Sequence, residues 1–485
     1  MNTHNQTFTS LRDWLRHLAN TDRLAAIRPG VSLVHELAAI AKRLDGEQAV
    51  LFPQPGGHTI PVVSGFMSRR SWIAEAMGVP ESEVLRRFLG AAERPLPWQE
   101  LAKGTAPVQQ LVHRFDGDEG PDIRKLLPVP THSEHDAGAY ITAGLVIARN
   151  PKTGVQNVSI NRIQLHDRDR MGVLILPRHL SAFFAAAESA GQALDVAIVI
   201  GVDPLTALAS QAIAPIDFDE LEIAGALHGA PLRVVKCLTN EVRVPADAEI
   251  VIEGRILPHA RQAEGPFGEF PQYYSAREER EVIAIQAVTH RRDPIYHTIV
   301  PAEMEHLLLG SIPREATLLS HLQRSFPNVL DVHLTVGGVA RYHLHVQMKK
   351  TREGQAKNVI FGAFAGHYDI KQVIVVDEDV DLHKPGEVEW AVATRFQADR
   401  DLVVVAGAQG SALDPSTTVG FPGNRPPLEW QGFGAKMGLD ATKPMASGEH
   451  VFTRVRIPGE LEVDVAKVIA AVGKTAIAGS PLERD

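Results

Sequence analysis

The sequence predicts a multidomain α+β protein in which two α/β segments flank a central segment rich in strands. Three observations support this prediction. The chain has 485 residues, more than a single hydrophobic core usually serves. Apolar residues recur at helical spacing near both ends, and short β-rich runs fill residues 139–300. We therefore predict domains over residues 1–115, 116–300 and 301–485.

The first of these segments has the pattern of a small α/β module. Helical spacing of apolar residues covers 8–44 and 71–89, and two β-rich runs lie at 49–52 and 60–63. Residues 92–135 are rich in proline, glycine and charge, which predicts a boundary or a long connection there.

The central segment is predicted to form a β-barrel or a sandwich that carries a site. Its predicted strands lie at 140–148, 156–165, 172–176, 194–202, 232–238, 249–253 and 281–288.

After residue 300 helical and extended patterns alternate again, which predicts an α/β domain. The predicted helices are 313–326, 354–365 and 386–395, and the predicted strands are 329–336, 342–348, 371–376 and 402–406. An amphipathic helix over 461–478 would suit packing on another subunit.

Composition excludes several classes of protein. Hydrophobic residues make up 44% and charged residues 22%, as in ordinary globular proteins. A net charge of −9 argues against a nucleic-acid-binding protein. The single cysteine, Cys237, excludes an intrachain disulfide and cysteine-based metal clusters. Neither a signal peptide nor a membrane-spanning run is visible, so a cytoplasmic location is expected.

The most informative motif is Glu-Gly-Pro-Phe-Gly-Glu at residues 264–269. Its glycines and proline disfavour helix and regular strand, so Glu264 and Glu269 are held on a shaped loop. Two carboxylates in different environments can divide the roles of proton donor and charge partner. A solvated turn between strands is the alternative for this motif taken alone.

A second group of polar residues lies upstream of this motif. In a strand Asn157, Ser159 and Asn161 share one face and Arg162 the other, unless a bulge or strand end intervenes. His179 and Glu220 follow along the chain. Taken singly, Asn157 could be a turn residue, His179 a half-buried histidine and Glu220 a carboxylate at a helix start.

Together these segments resemble the UbiD family of decarboxylases, which use prenylated FMN. The matching residues cover nearly the whole chain and lie at 11–14, 22–24, 157–162, 179, 220, 224–225, 264–269 and 313–316. The resemblance implies that the central domain is a split β-barrel that binds flavin, and that the C-terminal domain mediates oligomerisation through its terminal helix.

The resemblance also implies a role for each site residue. Asn157, His179 and Glu220 would bind a divalent cation, Mn²⁺ or Mg²⁺, that holds the cofactor phosphate; oxygen and nitrogen ligands suit such ions. The residues lining the cofactor would be Ser159, Ile160, Asn161, Arg162, Arg178, His179 and Glu220, with K⁺ beside it. Glu264, Arg162 and Glu269 would form a Glu-Arg-Glu network.

The implied reaction is a reversible, non-oxidative decarboxylation in which the cofactor accepts the electrons left by CO₂. Arg162 would orient the substrate carboxylate and Glu269 would supply the replacing proton. The implied partners are the acid, CO₂, a flavin prenyltransferase that supplies the cofactor, and further copies of the chain in a homodimer or hexamer.

Two departures from the fungal cinnamate-type members bear on the substrate. Residues 361–366 contain no lysine where those members place one against the flavin, and Arg178 replaces their glutamine. We therefore expect an aromatic or heteroaromatic acid. Residues 301–310 would form either a lid over the substrate or a helix packed between domains.

Two other functions remain open from sequence. The first is an FMN-dependent oxidoreductase, since split β-barrels also bind FMN. The second is a non-catalytic assembly or cofactor-carrier protein of the same fold. The Glu-Arg-Glu set and the implied metal ligands argue against the oxidoreductase, and the intact acid pair argues against the non-catalytic protein.

Overall fold

A computed structural model describes residues 8–115, 120–417, 432–447, 450–460 and 462–472. The chain divides into two compact units: Met1–Lys350 with Gly354–Thr442, and Thr351–Glu353 with Lys443–Asp485. Every residue of the candidate site belongs to the larger unit. The smaller unit contains one described helix, α13 (Val465–Val472).

The N-terminal module is a four-stranded sheet covered by helices. Its helices are α1 (Leu11–Asn20), α2 (Glu36–Arg43), α3 (Arg70–Met77) and α4 (Val84–Glu93). Its strands are β1 (Leu24–Ala26), β2 (Ala49–Phe52), β3 (Val62–Ser64) and β16 (Tyr296–His297), paired in that order. Helix α1 begins where the Ser10 side chain accepts the Asp13 amide, an N-cap that satisfies one free donor.

The central domain is built on a nine-stranded sheet. Its members are β5 (Leu111–Arg114), β6 (Tyr140–Ile141), β7 (Leu145–Arg149), β8 (Gln156–Ile160), β9 (Ile163–Leu165), β10 (Arg170–Val173), β11 (Leu194–Ile200), β14 (Ile250–Glu264) and β15 (Glu278–His290). The strand order is β6-β9-β10-β15-β14-β11-β7-β8, with β5 also paired to β15. A smaller sheet pairs β13 (Arg243–Pro245), β12 (Arg233–Lys236) and β4 (Gln99–Leu101).

This nine-stranded sheet must curl, because β8 and β9 lie near its opposite ends yet only two residues join them. The sheet is buried on both faces: Val196 and Ile198 of β11 belong to one apolar cluster and Ala197 and Val199 to another. Burial on both faces explains why β11 has an uninterrupted apolar sequence. The helices of this domain are α5 (Ile123–Leu126), α6 (His179–Ser189), α7 (Pro204–Ala209) and α8 (Glu220–His228).

The C-terminal domain is a five-stranded mixed sheet with helices. Its strands are β17 (Val329–Leu334), β18 (His343–Met348), β19 (Gln372–Asp377), β20 (Leu402–Gln409) and β21 (Phe433–Ala441), in the order β17-β18-β19-β21-β20. Its helices are α9 (Met304–Ser325), α10 (Gln355–Gly366), α11 (Pro385–Arg395) and α12 (Ala398–Asp401). None of the described helices combines the length and apolar content needed to cross a lipid bilayer.

Three expectations need correction. Residues 8–44 form two helices separated by β1, not continuous helix. Strands β14 and β15 are 15 and 13 residues long, because they continue through polar residues that the apolar pattern does not mark. The helix predicted at 313–326 starts earlier, at Met304 of α9, and passes through Pro313 with Leu307, Leu308 and Leu309 buried. Of the two alternatives given for residues 301–310, residues 304–310 therefore have the helix. Of the expected helix 461–478, residue 461 and residues after 472 lie outside the described part.

Candidate active site

The loop after β14 carries the two acids and has a shape that only glycine permits at its first position. Strand β14 ends at Glu264, and Gly265 follows with φ +86°. A Cβ on Gly265 would lie 2.6 Å from the Ala276 carbonyl oxygen, so a side chain there would clash with backbone. The Gly268 amide donates to Asp136 Oδ1 at 2.9 Å, which fixes the loop beside Glu269.

Arg162 lies between the two acids. It occupies the short link between β8 and β9, so the strand end, not the alternation within a strand, sets its direction. Its Nε and Nη2 donate to the two Glu264 carboxylate oxygens at 3.0 and 2.7 Å, and its Nη1 donates to Glu269 Oε1. The guanidinium also lies 5.4 Å from the centroid of the Phe267 ring.

Burial gives the two acids different surroundings. The Glu264 side chain is 0% exposed, the Arg162 side chain 7% and the Glu269 side chain 12%. Burial raises the pKa of Glu269 above its ordinary value, although the charge and hydrogen bond of Arg162 oppose this. Burial works against the charge of Arg162, but the two carboxylates outweigh it and raise the pKa of the guanidinium.

Two residues not singled out in the sequence anchor this loop. Tyr140 and Gln164 are cross-strand partners on β6 and β9. The Tyr140 hydroxyl donates to Gln164 Oε1 at 3.1 Å, and both side chains accept the Gly265 amide. Burial, followed by the charge of Glu264, raises the pKa of Tyr140. No local motif marks these residues, because their role depends on strand pairing.

Asn157, His179 and Glu220 converge at a second point of the site. They come from β8, the first residue of α6 and the first residue of α8. Asn157 Nδ2 lies 2.8 Å from Glu220 Oε1 and 3.4 Å from His179 Nδ1. The Val158 amide donates to the other Glu220 oxygen at 2.7 Å.

The surroundings of these three residues suit a hard cation. Glu220 is 2% exposed and forms no ion pair with a cationic side chain among the described residues. Burial therefore raises its pKa to about 8, a cost that a bound cation would offset. Burial and then Arg178 lower the pKa of His179, which favours the neutral imidazole that binds metals.

This ligand set is small. The described residues contain no group of three His, Cys, Asp or Glu placed to hold a metal. The set instead combines one carboxylate, one imidazole and the amide of Asn157. It could hold Mn²⁺ or Mg²⁺ with positions left for phosphate oxygen and water.

The residues expected to line a flavin lie between these two points. Ser159 and Ile160 end β8, and the Ser159 hydroxyl donates to Asn161 Oδ1 at 2.8 Å. Asn161 Nδ2 donates to the Leu174 carbonyl at 3.0 Å. Arg178 is exposed and precedes α6 without capping it through its side chain. The N-terminus of α6 carries the partial positive charge that favours an anion such as phosphate.

Basic residues on the C-terminal side of the site carry no local signal in the sequence. The Arg341 guanidinium carbon lies 4.7 Å from the centroid of the Phe270 ring, next in sequence to Glu269. Arg314, in the segment 313–316, matched the family without an assigned role. Residues 361–366, which lack the lysine, are the end of α10.

Comparison with known proteins gives three consecutive family matches along the chain. Residues 15–92, 99–304 and 307–441 match the N-terminal, Rift-related and C-terminal domains of UbiD, described as 3-octaprenyl-4-hydroxybenzoate carboxy-lyase. Anhydromevalonate phosphate decarboxylase of Methanothermobacter thermautotrophicus is 40% identical over 397 residues, 82% of this chain and 88% of that protein. Gallate decarboxylase of Lactiplantibacillus plantarum is 32% identical over 401 residues, 79% of this chain and 81% of that protein.

Solved structures of a UbiD-class enzyme have the same fold. HmfF from Pelotomaculum thermopropionicum in complex with FMN is 47% identical, with a TM-score of 0.90 over 95% of this chain and 100% of that chain. An evolved dimeric form of HmfF in complex with prFMN is 45% identical, with a TM-score of 0.86 over 95% and 100% of the two chains. The fold, with mixed α/β content and a curled central sheet, and these matches show that the chain belongs to the UbiD family of flavin-dependent carboxy-lyases.

Proposed function

We propose that this protein is a reversible, non-oxidative decarboxylase of an aromatic, heteroaromatic or other α,β-unsaturated carboxylic acid. The observation that carries the proposal is the placement of Arg162 between Glu264 and Glu269. Plain flavin redox chemistry needs no such acid pair, whereas replacement of CO₂ by a proton needs a positioned acid.

Prenylated FMN is the cofactor in this proposal. Ser159, Ile160, Asn161, Arg162 and Arg178 would line it, within the curled sheet that we propose is one half of a split β-barrel. When bound, this group supplies an electron sink for the pair of electrons left on carbon as CO₂ departs. HmfF, which was solved with FMN and with prFMN, supports this choice.

Asn157, His179 and Glu220 would hold Mn²⁺ or Mg²⁺ against the phosphate of the cofactor, with K⁺ nearby. Two features support a site for a cation and a phosphate together. Glu220 is buried without an ion pair to a cationic side chain in the described ranges, and the N-terminus of α6 carries a partial positive charge.

Arg162 would bind the reacting carboxylate as well as the two acids. A guanidinium has five N–H donors, and three of them are used by Glu264 and Glu269. The two that remain can orient the substrate carboxylate beside Glu269. A charge-assisted contact of this kind fixes the plane of the acid and the direction in which CO₂ leaves.

Glu269 would be the proton donor. Burial raises its pKa, which increases the fraction of the protonated form near neutral pH. As the carbon–carbon bond breaks, CO₂ leaves as a neutral molecule, and Glu269 donates its proton to the carbon that held it. The resulting carboxylate is stabilised by Arg162 until it regains a proton from water. Carboxylation at high bicarbonate is the same sequence in reverse.

The names of the relatives narrow the choice of substrate only in part. One relative is named for anhydromevalonate phosphate and another for gallate, so unsaturated and aromatic acids both occur among them. We favour a planar ring acid because Arg178 and residues 361–366 depart from the cinnamate-type pattern.

We also propose a homodimer or hexamer, domains over 1–115, 116–300 and 301–485, and a flavin prenyltransferase as the source of the cofactor. The cytoplasmic location remains a prediction.

The decisive experiment replaces the proposed acid. Glu269→Gln, in protein produced together with a flavin prenyltransferase, should release CO₂ from a panel of ring acids at least about 10²-fold more slowly. It should keep the cofactor, as judged by absorption and mass. The matched control is Glu279→Gln, an exposed carboxylate on β15. Full activity of Glu269→Gln, or NAD(P)H oxidation with plain FMN as the sole activity, would contradict the proposal.

A further inference from the structure

A buried arginine near the acid lacks partners for part of its guanidinium. Arg314, on α9, is 7% exposed. Its Nε and Nη1 have no hydrogen-bond partner in the part of the chain that the structure describes. Its Nη2 lies 3.8 Å from Asp369 Oδ2, beyond hydrogen-bond length. Buried charged donors without acceptors are costly, so this arginine is suited to an acceptor from outside the chain.

A second arginine connects Arg314 to the acid loop. Arg341 packs so closely on α9 that a Cβ on Gly310 would lie 2.6 Å from its Nη2. On its other side it covers the ring of Phe270 at 4.7 Å, and Phe270 directly follows Glu269. The charge of Arg341 acts on both Glu269 and Arg314. Arg341 therefore lies between Arg314 and the loop that carries the proposed proton donor.

Positive charge exceeds negative charge around these arginines. Arg178 and Lys436 also act on this region, and with Arg314 and Arg341 they form what we name the basic cluster. The carboxylates that act on Arg341 are Asp369 and Glu269. His367 adds no charge, because burial and the nearby arginines lower its pKa to about 2. Burial, then Arg341, lower the pKa of Arg314 to about 9, as expected where cations outnumber anions.

We propose that the basic cluster binds a second acidic group of the substrate, through Arg314 and Arg341, while Arg162 holds the reacting carboxylate. This inference rests on the proposed function and deepens it: the substrate is a planar acid that carries a further carboxylate or phosphate. The group recognised is an oxyanion attached to the planar substrate, because two guanidinium groups offer paired N–H donors that match the oxygens of a carboxylate or phosphate.

An oxyanion here could also belong to the cofactor phosphate. That phosphate already has a candidate site at the start of α6 with His179 and Glu220. Arg178 of the basic cluster adjoins that site, whereas Arg341 lies against Phe270, which directly follows Glu269. The two sources make different predictions about cofactor content, which the experiment uses.

The experiment measures binding of benzene-1,3-dicarboxylate and of benzoate to the cofactor-loaded protein by calorimetry. We expect the dicarboxylate to bind at least about tenfold more tightly, since hydrogen bonds to charged groups contribute at this scale. Arg341→Gln and Arg314→Gln should each remove most of this preference and keep the flavin. Arg341→Lys should retain part of it. Arg324→Gln, an exposed position on the same helix, should leave the preference unchanged.

The proposal is overturned if the wild-type protein binds both probes equally, or if correctly folded Arg341→Gln and Arg314→Gln variants keep the preference. Circular dichroism melting identifies variants that fail to fold, and Arg341→Lys then carries the comparison. Loss of flavin from the Gln variants would assign the cluster to the cofactor phosphate and overturn the proposal. Glu269→Gln separates this inference from the proposed function, because it should lose CO₂ release and keep the preference for the dicarboxylate.

Discussion

Two buried arginines of this protein have opposite surroundings. The side chains of Arg162 and Arg314 are 7% and 8% exposed. Arg162 donates three hydrogen bonds to two carboxylates, whereas Arg314 has one carboxylate at 3.8 Å. The pKa of Arg162 is raised and that of Arg314 is lowered to about 9. At similar burial, the number of nearby carboxylates determines whether the pKa of the guanidinium is raised or lowered.

This difference separates two uses of a buried cation. Arg162 is part of a neutralised unit that holds its geometry before a ligand arrives, which is the condition for efficient proton transfer. Arg314 lies in a region of excess charge, which in our proposal is complemented by the ligand. The acid pair would thus perform the reaction, and the basic cluster would select what reacts.

The largest effect is expected from Arg162→Gln, which removes the positive charge between Glu264 and Glu269. Decarboxylation should fall by roughly 10³-fold, the scale seen when a positioned charged donor is lost. Stability should fall by about 3 kcal/mol, because two buried carboxylates lose their partner. The measurements are kcat/KM and urea denaturation.

The matched control for this variant is Arg255→Gln, which breaks the exposed pair of Arg255 with Asp195. It should cost less than about 1 kcal/mol and leave activity intact. Near-normal turnover by Arg162→Gln would show that the acid pair does not need the guanidinium.

The second prediction concerns pH: above the pKa of Glu269, kcat/KM should fall about tenfold per pH unit. Glu269 must be protonated to act, and its pKa is raised by burial, so kcat/KM should fall as pH rises through that raised value. Arg162 lowers this pKa, so the residual activity of Arg162→Gln should extend to higher pH. The same shift affects stability: the contribution of Glu269 is complete below its ordinary pKa and is lost as pH rises through the raised one.

The check is a pH–rate profile of the wild-type protein and of Arg162→Gln, in which the pKa of the descending limb is fitted for each. An identical limb in the wild-type protein and in Glu269→Gln would assign the titration to another group.

The smallest effect is expected from Asp369→Asn, which increases the charge excess of the basic cluster. Removing its carboxylate should tighten dicarboxylate binding about threefold to tenfold, because the ligand then meets no competing anion. Asp381→Asn makes the same charge change at a position with an exposed carboxylate and should have no effect. Calorimetry compares the two variants, and weaker binding by Asp369→Asn would mean that Asp369 holds Arg314 in place for the ligand.

The acid pair could be predicted from the sequence because its parts are short motifs. Glu264 and Glu269 lie on one loop, and glycine and proline mark that loop locally. Asn157 lies on β8 and Arg162 lies in the short link that follows it. The family resemblance added His179 and Glu220, whose meeting with Asn157 depends on where α6 and α8 begin.

The basic cluster could not be predicted in the same way. Arg314 comes from the middle of α9, Arg341 from the connection before β18 and Asp369 from the connection before β19. Each looks like an ordinary polar residue in its own segment, and only tertiary packing brings the three together. The same limit explains the missed length of β14 and β15, whose polar halves are held by cross-strand pairing rather than by an apolar pattern.

The two-residue link between β8 and β9 has one further consequence. It carries Asn161 and Arg162 side by side, and it is also the hinge at which the two margins of the central sheet approach each other. An insertion in this link would displace Asn161, which we propose lines the flavin, together with the guanidinium of Arg162. If our proposal holds, a change in the length of this link would therefore affect cofactor binding and proton transfer at the same time.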